Sequence, residues 1–437
     1  MKRKRRKKKT NFIILFCLTL VFATLTGLFV MFSYLWIVED AGIKPAAATA
    51  NVKLVKEDII KEDVLKVDNV SEVGRDGSEV EGNDSDVGRD GSEGAEGGNF
   101  AQGNEYMLEE NVFVKEAASE DCVTIAFAGD ILFDPNYAIM GSLMQRGGEI
   151  SAGIAPELIE EMRNADIMMI NNEFPYSDRG EPTPEKAFTF RAKPSSVSYL
   201  HDMGVDIVSL ANNHAYDYGE EALLDTLQVL KGGGIHYVGA GVDIDEAARP
   251  FYYVVNDMKI AFVSATQIER NDNPDTKEAT ADTPGVFRCW NEEKLLQTVK
   301  ETKENSDFVI VYIHWGTENE EEIDWAQDKQ AKELVDAGAD LIVGDHPHIL
   351  QEVDIIEGVP VFYSLGNFWF NSRTMDTGLL KVTISEKKLQ SCQFIPCLQE
   401  NCKTVQLTGE EKERVLDIMR TMSENVSIDA NGFLKIF

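Results

Sequence analysis

The segment Leu341-Ile342-Val343-Gly344-Asp345-His346-Pro347-His348 decides how this chain is read. Three apolar residues, two of them β-branched, fit a short buried strand, which breaks off into a glycine, a carboxylate and two imidazoles. Five other stretches repeat the arrangement. Residues 123–128 run into Gly129-Asp130, 167–170 into Asn171-Asn172-Glu173, and 205–210 into Asn212-Asn213-His214. Residues 308–313 lead to His314-Trp315-Gly316, and 359–363 to Ser364-Leu365-Gly366-Asn367. Segments 155–164, 219–231, 291–305 and 325–337 have helical character, 232–234 is a glycine stop, and 409–423 predicts a closing helix. Strands alternating with helices define an α/β protein. Ligands of open α/β sheets bind beyond the carboxyl ends of the strands, so the six endings predict one shared site.

The residues gathered there form a metal-ligand set. Four of the six histidines follow strands, and imidazole together with carboxylate and amide oxygen suits Mn, Zn or Fe, whereas oxygen alone would suit Mg or Ca. His346 and His348 are two apart, so an extended segment would point them to the same side, with Pro347 stiffening the chain between them. Each piece alone has an ordinary explanation: an Asp after a strand caps a helix or a turn, and Asn-Asn is a common turn. The joint pattern carries the inference. His201 and His236 fall outside it and are expected in surface or core roles. Ser364 lacks the Gly-x-Ser-x-Gly context of a nucleophile, and its segment is expected to shape the floor of the site.

These motifs resemble the CapA-type poly-γ-glutamate capsule biosynthesis proteins. The likeness rests on Gly129-Asp130, NNE at 171–173, NNHAYDYG at 212–219, HWGTE at 314–318, DHPHILQ at 345–351 and SLGNF at 364–368, in the family's order. It implies a metallophosphatase-like four-layer α/β/β/α sandwich, similar to calcineurin-type phosphoesterases. Carried over motif by motif, Asp130 and His348 would hold a first metal, Glu173 would bridge, and Asn213, His314 and His346 would hold a second. His214 matches the general acid that protonates a leaving oxygen. Asn172, Asp217, Glu318, Asp345, Arg191 and Asn367 would support the ligands or touch substrate. Two departures matter. The superfamily's first motif is D-x-H, where this chain has Asp130-Ile131-Leu132, and Glu173 stands where Asp is usual. One firmly held divalent ion is therefore expected rather than two.

The 437 residues carry a formal charge of −33 although Lys2 to Lys9 is an unbroken basic block. So acidic a body repels phosphate backbones and argues against nucleic acid as a partner. After the basic segment 1–11, residues 12–38 are 27 uncharged, mostly apolar positions. About 20 suffice to span a bilayer, so a transmembrane anchor is expected, with the N-terminus cytoplasmic and the rest extracytoplasmic. Residues 39–120 are acidic and rich in Gly and Ser, repeat VGRDGSE at 73–79 and 87–93, and predict a flexible linker. The folded domain is expected over 121–437. Cys122, Cys289, Cys392, Cys397 and Cys402 have no C-x-x-C spacing. They read as structural, with room for one disulfide among the last three.

Three functions follow. A membrane-anchored factor would assist synthesis, export or attachment of poly-γ-glutamate or a similar anionic surface polymer beside membrane synthase subunits, with metal, Arg191 and Lys193 offsetting the acidic body. A metal-dependent hydrolase would act on a phosphoester outside the cell. A polymer-binding scaffold would use the ligands only to stabilise its fold.

Overall fold

The computed structural model describes residues 106–268 and 276–435. The anchor expected at 12–38 and most of the linker lie outside them; no helix among the described residues is long and apolar enough to cross a membrane.

Two eight-stranded mixed sheets face each other. The first runs in the spatial order Tyr106–Glu109, Val112–Val114, Phe251–Val255, Met258–Thr266, Phe308–His314, Leu341–Asp345, Val359–Phe362 and Val353–Ile356. The second runs Lys403–Gln406, Lys388–Glu400, Met375–Ser385, Val123–Ile131, Ile167–Asn172, Ile207–Ser209 and His236–Val238. Its eighth strand, Asn367–Trp369, pairs with Val123–Ile131.

Side chains alternate across a strand, and this alternation sorts the core into layers. Val123, Ile125 and Phe127 meet Ile260, Phe262, Ile310 and Tyr312 between the sheets. Their neighbours Ala126 and Ala128 turn outward to a second cluster with the helices Ala138–Gln145, Pro156–Arg163, Ser198–Met203 and Gly219–Gly233. On the other side Val309, Val311 and Ile313 pack under Glu293–Glu304 and Trp325–Ala337. The result is the α/β/β/α layering. Helix Gly409–Met422 plugs the space between the sheets, burying Val415, Leu416 and Met419 in the inter-sheet cluster.

Helix ends follow local chemistry. Pro156 opens one helix at its first turn, where its missing N–H is not needed. Asp324 and Gln327 form a capping box at Trp325–Ala337. Gly234, at φ 70°, ends Gly219–Gly233 in the left-handed conformation expected of the glycine stop.

Two expectations need correcting. The folded region reaches ahead of residue 121, because the hairpin Tyr106–Glu109 and Val112–Val114 extends the first sheet alongside Phe251–Val255. No disulfide forms among the described residues: Cys392, Cys397 and Cys402 are buried thiols.

The hairpin is fastened by His236. Its ring lies 4.2 Å from those of both Phe113 and Phe251, and Nδ1 is 2.7 Å from the Tyr253 hydroxyl. Nearby Lys115 pairs with Asp206. Burial, helped by Lys115, pushes the His236 pKa down to about 3. The unfolded chain takes up this proton below its ordinary value near 6.5 while the folded chain does not, so stability falls as pH drops from about 6.5 toward 3, by up to about 1.4 kcal/mol per unit. Between pH 7 and 5, thermal denaturation of His236→Phe is expected to lose roughly 3 °C less than the wild type; equal losses would show that this imidazole is not the acid-sensitive group.

Candidate metal centre

Register delivers the strand ends to one place. Asp130 pairs with Asn171 on one side and Asn367 on the other, while His314 pairs with Asp345 in the facing sheet. The pairing shifts register between Ala128 and Asp130, the kind of bulge that re-aims a side chain at a sheet end. The endings thus belong to both sheets, and the site bridges them: Asn213 of one meets His314 of the other.

His314 Nε2 is the centre. It lies 2.9 Å from Asn213 Oδ1, 3.1 Å from His346 Nδ1 and 3.4 Å from Glu173 Oε1. One ring N–H cannot serve an amide oxygen, a carboxylate and a second ring nitrogen together; a cation among the four can. Both Glu173 oxygens are buried without a hydrogen-bond partner among the described residues. Burial first, then Asp130, Asp345 and Glu318, hold the Glu173 carboxyl well above its ordinary pKa. Such a group is either protonated or balanced by a positive ion. Burial also pushes His314 down to about 3 and His346 well below its usual range, leaving both as the neutral imidazoles that metals bind. Glu173, His314 and His346 each offer a ligand atom within 4.8 Å of the others, as do Asp130, Glu173 and His348. The donor set fits a divalent cation.

The second group is more self-sufficient. His348 Nδ1 donates to Asp130 Oδ2 at 2.9 Å, and Asn171 Nδ2 donates to Oδ1 at 2.7 Å. Burial alone would raise Asp130 and lower His348; their contact outweighs it in both, so Asp130 falls and His348 rises. Leu132, where the superfamily motif has histidine, is fully buried in the apolar cluster and offers no donor.

His214 stands beside these groups on Asp217. Its Nδ1 is 2.6 Å from Asp217 Oδ2, which also accepts from the Phe190 amide at 2.7 Å. The Phe190 ring lies 4.2 Å from the imidazole. Burial, then the charges of Lys186 and His348, keeps His214 well below its ordinary pKa, while burial lifts Asp217 to about 7 against the pull of Lys186.

The remaining expected residues divide. The Tyr312 hydroxyl donates to Asp345 Oδ2, and Asp345 Oδ1 is buried without a hydrogen-bond partner among the described residues. Asn172 donates to the Phe174 carbonyl at 2.6 Å, and the Asn367 amide to the His348 carbonyl at 3.3 Å. Glu318 is exposed. Arg191 stacks over Tyr218 at 4.0 Å and donates weakly to the Arg179 and Gly180 carbonyls. Ser364 Oγ donates to the Ile349 carbonyl and accepts from the Gly366 amide, a floor role. His346 and His348 do not lie on an extended segment: φ is 102° and 61°, so a left-handed turn aims the two rings. Sequence reasoning passed over Asn171, whose Nδ2 also lies 3.3 Å from His314 Nδ1, and Lys186. The Asn-Asn doublet at a strand end was a usable signal for the first; a single lysine in a loop gives none for the second.

The family model for the bacterial capsule synthesis protein PGA_cap matches residues 124–372. The chain belongs to this family. The Bacillus anthracis capsule biosynthesis protein CapA is 32% identical over 265 residues, which are 58% of this chain and 63% of that protein. The PGA biosynthesis protein CapA of Bacillus subtilis (strain 168) is 32% identical over 270 residues, 60% of this chain and 68% of its own. The chain therefore spans less than two thirds of the first of these relatives. Among solved structures, a 5'-nucleotidase from Candida albicans SC5314 aligns over 64% of this chain and 52% of its own at 10% identity and a TM-score of 0.36, a likeness too slight to bear on function. The site residues described above all lie inside the matched region.

Proposed function

We propose that this PGA_cap protein assists the synthesis, export or attachment of poly-γ-glutamate or a similar anionic surface polymer, working at one divalent metal site beside membrane synthase subunits. The observation that carries the reading is the convergence of Asn213, Glu173 and His346 on His314 Nε2 in a chain of this family. The names of its CapA relatives, one for capsule biosynthesis and one for PGA biosynthesis, support the choice of polymer. The basic block and the 27 uncharged residues after it support a membrane anchor that places the domain outside the cell.

Glu173, Asn213, His314 and His346 would hold the ion, with Asp130 and His348 at its side. A divalent ion there supplies Lewis acidity toward an anionic oxygen. His346 and Asn213 keep about 8% of their surface exposed, while Glu173 and His314 are fully buried, so the 213 and 346 side of the donor set lies nearest solvent. In the native host, replacing the gene with a Glu173→Gln copy is expected to remove most surface polymer at unchanged protein level. Full polymer from that copy would refute a role for the ion.

The pairing of His214 with Asp217 favours a second reading, a metal-dependent phosphoester hydrolase on the metallophosphatase-like fold. With Nδ1 committed to Asp217, Nε2 is the atom through which His214 would exchange a proton with a leaving oxygen. Protein loaded with Mn or Zn is then expected to hydrolyse a generic phosphodiester, and His214→Ala to slow it by about 100-fold or more. No turnover across a substrate panel would rule out this second reading and leave the accessory role and the polymer-binding scaffold.

A further inference from the structure

We propose that Lys186 is a positioning residue of this centre: its ammonium clamps the turn 213–217 so that the Asn213 amide and the His214 ring both face the cation. The inference rests on the metal reading above and adds to it a residue outside the ligand set.

Lysine is among the residues least often buried without a partner, and the Lys186 side chain is only 4% exposed. Its Nζ donates to the Asn213 carbonyl and, at 2.5 Å, to Asp217 Oδ1. Asp217 in turn receives His214 Nδ1 and the Phe190 amide on its other oxygen. One ammonium therefore joins the backbone of a candidate ligand to the carboxylate that orients the neighbouring imidazole. The segment that brings Lys186 is itself stapled to the turn, because the Thr183 amide and hydroxyl both donate to the Asp217 carbonyl, at 2.8 and 3.0 Å.

The turn needs such a clamp. Residues 212–218 form neither strand nor regular helix, so no ladder of backbone bonds fixes the direction of Asn213. Its Oδ1 reaches His314 from the opposite sheet, and a small rotation of the 213 peptide would withdraw it. A neutral donor could hold the carbonyl but would leave the Asp217 carboxylate buried without a countercharge, which is costly. An ammonium answers both demands. Outer partners of metal ligands typically change metal affinity by about 10- to 100-fold when removed.

The test compares full-length wild type, Asp217→Asn, Lys186→Met and the double variant Lys186→Met/Asp217→Asn. Mn²⁺ is titrated by electron paramagnetic resonance of the free ion, and thermal denaturation is recorded alongside. Asp217→Asn keeps the ammonium on the Asn213 carbonyl but removes its countercharge; the double variant, with neither buried charge, is expected to melt no lower than Asp217→Asn yet bind Mn²⁺ at least about tenfold more weakly than that single variant. Equal Mn²⁺ affinity in the double variant and Asp217→Asn would overturn the proposal. So would loss of the fold in the double variant, which would make Lys186 a general stabilising residue. A wild type that binds no Mn²⁺, Zn²⁺ or Fe²⁺ would overturn the metal reading beneath it, a result distinct from either.

Discussion

Purified His314→Ala protein is expected to retain less than about a tenth of the divalent metal of the wild type after dialysis, with its far-UV circular dichroism unchanged. Among the described residues, His314 is the one whose ring nitrogen meets the amide, the carboxylate and the second imidazole within 3.4 Å. Its removal takes away a ligand and the point on which the others converge. Glu173→Gln is the informative companion. The carboxyl is fully buried with neither oxygen bonded, so in metal-free protein the amide relieves a group that resists ionisation, and the melting temperature is expected to rise. In the metal-loaded protein the same change removes the anionic ligand, and the stabilisation that metal confers on the wild type is expected to vanish. Elemental analysis and melting curves with and without chelator separate the cases. Metal at the wild-type level in both variants would show that the cluster is not where the ion binds.

What the sequence disclosed was the part of the fold written in local pattern. Apolar runs such as 308–313 and 341–343 are buried on both faces, so they stand out as strands, and the polar residues that end them stand out by contrast. Convergence on one site followed from where strands of α/β proteins end. The hairpin at 106–114 was hidden because it is an edge element, YMLE being exposed at every position, in a stretch whose surroundings are acidic and polar. The rings of His346 and His348 were aimed by dihedral angles that residue spacing does not encode. Lys186 acts through distance in space, 27 and 31 residues from its partners, and no periodicity marks it.

Gly129→Ala is expected to damage fold and site together. A Cβ built there would lie 1.9 Å from the Gly366 carbonyl oxygen and 3.2 Å from Asp345 Oδ1. The carbonyl cannot simply retreat, because it accepts the Asp130 amide at 3.1 Å and precedes the strand Asn367–Trp369 that pairs with Asp130. Either that bond breaks or the bulge that presents Asp130 moves. Overpacking against backbone costs about 3 kcal/mol or more in such a place, roughly 4 °C or more in melting temperature for a domain of this size. Gly219 supplies the contrast. Its φ of 79° strains any other residue, but nothing lies within 4 Å of the position of its Cβ, so Gly219→Ala is expected to lose only about 1 kcal/mol. Thermal melts of the two variants, with metal content measured on each, test the point. If Gly129→Ala melts no lower than Gly219→Ala and keeps its metal, then the glycine before Asp130 does not serve the close approach of 366, and the register that gathers the strand ends must be held by other contacts.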